Sequence, residues 1–115
     1  MTKWKIKKRK ITIDQQIYIY SIKEFDDGID ILIYQKKPLM LRLRQSWIES
    51  WAINFYRPKV VELIIRYYQE KGIQSGLQLL RNEKKLFLQL TDLFFSENEK
   101  YEKELFIRRC KKNIN

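Results

Sequence analysis

Asp26-Asp27-Gly28 lies between two runs rich in isoleucine and tyrosine, and it narrows the folds open to this chain more than any other feature. Glycine supplies the positive φ that a tight turn uses, and an aspartate can bond back to its own backbone, so the triplet reads as a hairpin turn. The flanking runs, residues 17–23 and 29–35, are then neighbouring antiparallel strands. Lys36-Lys37-Pro38 turns the chain again into a strand at 39–44, with Leu39, Leu41 and Leu43 inward and Met40, Arg42 and Arg44 outward.

The same alternation begins earlier. Trp4 and Ile6 alternate with lysines, and Ile11 and Ile13 alternate with Lys10 and Thr12. The two pairs have opposite parity, which predicts a bulge near residues 8–10. Asp14-Gln15-Gln16 makes a further turn. Strands over about 3–44 with short connections give an antiparallel meander.

The period changes after Pro58, which suits the first position of a helix because its missing N–H has no partner there. Val61, Ile64, Ile65 and Tyr68 recur at helical spacing, and Gly72 closes a helix over about 58–71. Residues 76–112 read as further helix, with Ser75 as a cap before Leu77 and Leu80. Phe87, Leu90, Phe94, Tyr101 and Leu105 fall near a heptad seam. Glu99/Lys103 and Glu104/Arg108 are favourable i,i+4 pairs. Between the two halves, residues 45–57 keep no clean period and read either as one helical turn or as a fifth strand at 51–55. The expected architecture over 1–115 is one α+β domain: an antiparallel sheet of four or five strands packed on two or three C-terminal helices.

The chain lacks histidine, which removes Ser-His and Cys-His nucleophile systems and the usual zinc sites. Cys110 has no cysteine partner for a disulfide, though its basic neighbours Arg108, Arg109, Lys111 and Lys112 favour a thiolate. Asp26, Asp27 and Asp30 are the first candidate acidic cluster, and a hairpin turn explains two of them without a metal. A nuclease-like reading of Asp30 with Gln35-Lys36-Lys37 has the wrong spacing and glutamine where a second acid belongs. No enzyme, cofactor or metal is expected. The apolar run 86–95 is too short to cross a bilayer, and no signal-peptide core follows the N-terminal lysines, so a cytoplasmic location is expected.

Charge is the strongest compositional feature: 24 Lys+Arg stand against 14 Asp+Glu, a formal net of +10. Such a field attracts an acidic protein, nucleic acid or an anionic surface. Lys3, Lys5, Lys7 and Arg9 share one face of a strand, with Trp4 beside them, as a stripe that either tracks phosphates or guards a sheet edge. The second candidate surface is Trp47 and Trp51, flanked by Arg42, Arg44 and Arg57, since aromatics near arginine are common at interface hot spots.

Lys8-Arg9-Lys10-Ile11-Thr12-Ile13, with Arg57-Pro58-Lys59 leading into a helix that ends Glu70-Lys71-Gly72, resembles a loose set of small uncharacterised bacterial proteins. The resemblance spans about residues 8–73. It implies a sheet packed on a helix and carries no activity. The sequence reading is a binding module of immunity or inhibitor type that docks on an acidic partner, with non-specific DNA or RNA binding as the alternative.

Overall fold

The computed structural model describes residues 8–35, 38–73 and 76–112. Strands β1 (Arg9–Ile13), β2 (Gln16–Phe25), β3 (Gly28–Gln35) and β4 (Leu39–Ser46) form the expected antiparallel meander. Asp14 and Gln15, with φ of 50° and 69°, make the β1–β2 turn, the left-handed pair that matches the twist of a two-residue hairpin. The Asp26-Asp27 turn is also present, but Gly28 is there for a different reason than turn conformation. Its φ is not positive. It is the first residue of β3, and a Cβ on it would lie 2.2 Å from the Gln45 carbonyl oxygen.

Helix α1 (Pro58–Lys71) begins at Pro58 and ends at Gly72, whose φ is 92° and whose N–H donates to the Tyr68 carbonyl at 2.9 Å. Its apolar stripe of Val61, Ile64, Ile65 and Tyr68 packs in one core with Tyr18, Tyr20, Ile31, Ile33, Leu41 and Leu43 of the sheet. These sheet residues share one face, because Tyr20 pairs with Ile33 and Ile33 with Leu41. Leu41 and Leu43 point inward as expected. Leu39 does not: the β3–β4 register shifts at Ile33/Tyr34, and Leu39 is left half exposed opposite Tyr34. The bulge expected at residues 8–10 is absent from the paired positions, since Arg9 and Lys10 continue the β1–β2 register opposite Tyr20 and Ile19 without a shift.

The fifth strand is not at 51–55. It is β5 (Leu77–Leu79), which pairs parallel to β4 after the α1 crossover, with Leu43 opposite Gln78. Residues 51–55 lack a ladder because two turns flank them. Ser46 and Glu49 form a reciprocal pair: the Ser46 N–H donates to Glu49 Oε1 at 2.7 Å and the Glu49 N–H to Ser46 Oγ at 3.3 Å. A short 3₁₀ turn, Glu49–Trp51, follows, and Asn54 Oδ1 then accepts the Tyr56 N–H at 2.9 Å. Ile53 and Phe55 are buried without strand pairing.

The helix expected from residue 76 is therefore strand and a second 3₁₀ turn (Leu80–Asn82) before α2 (Lys84–Phe94) begins. The Ser75 cap falls outside the described residues. A continuous helix to 112 is also interrupted. Ser96 and Glu99 form a capping box, with the Ser96 N–H donating to Glu99 Oε1 at 3.0 Å, so α3 (Lys100–Lys112) starts afresh. These bonds hold the Glu99 carboxyl below its ordinary value. The heptad seam breaks with the helix: Phe94, Tyr101 and Leu105 are exposed, and the buried positions are Leu86, Leu90, Thr91, Phe95, Phe106 and Cys110. Glu99 is occupied by its cap, and Lys103 bonds Asp92 across the two helices instead.

Glu83, at the start of α2, joins the helical layer. Lys71 Nζ reaches both its oxygens at 2.6 Å and the Tyr67 hydroxyl donates to Oε2 at 2.5 Å. Burial, and then this bond, push the Tyr67 phenol up to about 12. None of the described helices is long and apolar enough to cross a membrane.

Candidate binding face

Helices α1 and α2 pack on one face of the sheet, while α3 packs beside it on Ala52 and Phe95 and brings Cys110 to the Arg44 end of the other face. The other face carries the strand residues of opposite parity, none of which belongs to the apolar core. Cross-strand pairing sets its layout in rows. Lys23, Asp30 and Arg44 form one row across β2, β3 and β4, and Leu79 extends it on β5. Ser21, Leu32, Arg42 and Leu77 form the next. Lys10 pairs with Ile19, and Ile19 with Tyr34, in a third. The face thus combines Lys10, Lys23, Arg42 and Arg44, and Lys8 over Tyr34, with aliphatic and aromatic side chains.

Its centre is Asp30, which is fully buried. Arg42 Nε donates to Oδ2 at 2.8 Å. Arg44 Nε donates to Oδ1 at 2.6 Å and its Nη2 to Oδ2 at 3.2 Å. The Asp30 bond is also the main cause that holds Arg44 above its ordinary value. Arg44 lies over the Phe25 ring at 4.9 Å and is 3.8 Å from Asp27. The Asp26, Asp27, Asp30 cluster of the sequence is therefore dispersed: Asp30 serves two arginines and Asp27 stands at the exposed turn. Gln35 sits at the far end of β3, so the nuclease-like pairing has no geometry behind it. No group of metal-ligating side chains occurs among the described residues.

The remaining sequence candidates are spread apart. Arg9 is on the opposite face of β1 from Lys10, paired with buried Tyr20. Lys3, Trp4, Lys5 and Lys7 lie outside the described residues. Trp47 braces the β2–β3 turn: its indole N–H donates to the Phe25 and Asp26 carbonyls at 3.0 and 2.9 Å. Trp51 is 68% exposed and stacks on Phe94 at 5.8 Å, with Phe106 beside it at 5.9 Å. A groove of about 620 Å³ runs between this tryptophan and α3, lined by Trp47, Leu105, Phe106, Glu102 and Arg109. Arg57 precedes α1 and donates to the Leu93 carbonyl at 3.4 Å. Among the predicted residues that are described, Arg42 and Arg44 are the two that bond one common group, Asp30.

A smaller cleft of about 250 Å³ holds Arg44, Glu49, Arg81 and Cys110. Burial raises Glu49, with the Ser46 bonds opposing it. Cys110 is buried too, and desolvation, then Glu49, push its thiol up to about 12. Burial thus disfavours the thiolate expected from its basic neighbours, because those residues are exposed while Cys110 packs with Phe106 and Ala52. In the folded protein at pH 8, Cys110 is expected to react with a thiol reagent at least ~100-fold more slowly than in denaturant. Labelling at the denatured rate in the native state would place the sulfur at the surface.

Asp30 was missed as an organiser because it was read with its chain neighbours. Folding residues 29–35 back against 39–44 sets Asp30 opposite Arg44, and the pairing was available from that hairpin. No protein-family model, curated protein or solved structure matches this chain.

Proposed function

We propose that this protein is a non-enzymatic binding module that docks on an acidic protein through the open face of its sheet. One observation carries the reading: Lys10, Lys23, Arg42 and Arg44 converge on a face whose interior carboxylate, Asp30, is already occupied. The surrounding Ile17, Ile19, Tyr34 and Leu39 provide the apolar contact area that a protein interface uses. Charge complementarity speeds encounter and rejects basic partners, which suits a small immunity or inhibitor protein.

A sheet that binds single-stranded RNA presents free aromatic faces for base stacking. Here the rings are topped by cations: Arg44 over Phe25 at 4.9 Å and Lys8 over Tyr34 at 5.9 Å. That favours protein carboxylates over bases.

The test uses a fluorescein-labelled hexaglutamate peptide and a single-stranded oligonucleotide, read by anisotropy. The double variant Lys10→Glu, Lys23→Glu is expected to weaken peptide binding at least ~10-fold, since each reversal places like charge against the ligand. A control, Lys111→Glu with Lys112→Glu at the end of α3, is expected to change it less than ~3-fold. Equal losses from both pairs would assign binding to net charge alone. Tighter binding of the oligonucleotide than the peptide at physiological salt would make nucleic acid the partner.

A further inference from the structure

We infer that Asp30 is a positioning residue: it fixes Arg42 and Arg44 as a paired guanidinium fork that takes a carboxylate of the partner. The inference rests on the docking reading above and names the specificity-determining contact within that face.

A carboxylate completely buried on the open side of a sheet is a poor way to stabilise a strand. Desolvating it offsets much of the attraction it gains, and an apolar residue at the same place would serve stability as well. The bonds point to another use. Asp30 engages Arg42 through Nε alone, at 2.8 Å, so both terminal amino groups of that guanidinium stay outside the contact. Arg42 keeps 38% of its side chain exposed. Arg44 is gripped through Nε and Nη2, and the Phe25 ring lies beneath its guanidinium. The Phe25 carbonyl is in turn held by the Trp47 indole.

Two arginines at alternate positions of one strand are about 7 Å apart along it and repel each other. Asp30, opposite Arg44 in the neighbouring strand, bonds both and neutralises half of that charge. Two long side chains that would otherwise sample many rotamers are thereby set before a partner arrives, and less freedom is lost on binding. The planar fork matches a carboxylate in two parallel hydrogen bonds, which an ammonium cannot do. Arg44 also has the exposed Asp27 at 3.8 Å, so an incoming carboxylate pairs with the terminal amino groups of Arg42, which shares only Asp30 among the described residues.

The hexaglutamate probe separates positioning from plain charge, because the two give opposite signs. Asp30→Asn makes the face more positive, so charge alone predicts tighter binding. Loss of positioning predicts weaker binding, by about 10-fold. Arg42→Lys keeps the net charge and an ion pair with Asp30 but removes the fork, and is likewise expected to weaken binding by about 10-fold. Circular dichroism and thermal melts check each fold. Should Asp30→Asn fail to fold, Arg42→Lys decides. Unchanged or tighter binding by folded Asp30→Asn, or unchanged binding by Arg42→Lys, overturns the inference. If Lys10→Glu, Lys23→Glu weakens binding while these two do not, the docking face stands and the fork falls. If the wild type does not bind hexaglutamate, both fall.

Discussion

Ile64→Ala is expected to lower the unfolding free energy by about 2–5 kcal/mol, and Ile65→Ala by a similar amount. Both side chains are completely buried on α1 and belong to the cluster that includes Ile31, Ile33, Leu41 and Leu43. Truncation removes their transfer free energy and leaves a cavity that a sheet held by hydrogen bonds on both sides cannot close. Urea or guanidinium unfolding measures the loss. A change below about 0.5 kcal/mol at both positions would mean that α1 turns another face to the sheet. Arg66, on the outer side of the same helix, pairs with Asp14 and Glu62 at 3.0 Å in the open. Exposed pairs of that kind contribute roughly 0–1 kcal/mol, so the inner stripe dominates the helix's share of stability.

Gly28→Ala is expected to destabilise by about 2–3 kcal/mol, a value in the overpacking range. The new methyl would lie 2.2 Å from the Gln45 carbonyl oxygen and 3.2 Å from its carbon. Both atoms are backbone, so no side chain can swing aside. The β3–β4 pairing between Gly28 and Ser46 would have to open. That opening would also disturb the Ser46–Glu49 turn and the neighbouring Arg44. A loss under about 1 kcal/mol in denaturant unfolding would show that the two strands can part at this end without dragging the sheet along.

The β1–β4 meander and α1 were legible because each obeys one local rule. Residues 17–23 and 29–35 alternate, short turns join them, and Val61, Ile64, Ile65 and Tyr68 keep helical spacing. β5 was not, since Leu77-Gln78-Leu79 is too short to declare a period and becomes a strand only by lying beside Arg42 to Arg44. The breaks at 46–49 and 96–99 did have a local sign. Both read Ser-x-x-Glu, and in both the serine and glutamate bond each other's backbone. A heptad reading carried across Ser96 overlooks that sign, and a strand reading of 51–55 overlooks the one at Ser46. At the candidate binding face, Arg42 and Arg44 stood out by charge, whereas Asp30 meets them only once residues 29–35 are folded back on 39–44. Cys110 shows the opposite error: its sequence neighbours are cationic, but they are exposed while Cys110 is buried.

The order of the elements has a consequence for the protein as it is being made. Every strand from Arg9 to Ser46 pairs with the one just before it, so the ribosome releases each partner in turn and the ribbon can zip as it emerges. Its apolar side, with Tyr18, Tyr20, Ile31, Ile33, Leu41 and Leu43, has no lid until translation passes Val61, Ile64 and Ile65. A nascent chain whose emerged part ends between Ser46 and Pro58 therefore carries a naked four-stranded sheet that still lacks β5. That is the stretch of synthesis in which the polypeptide most needs a chaperone and in which truncated products aggregate.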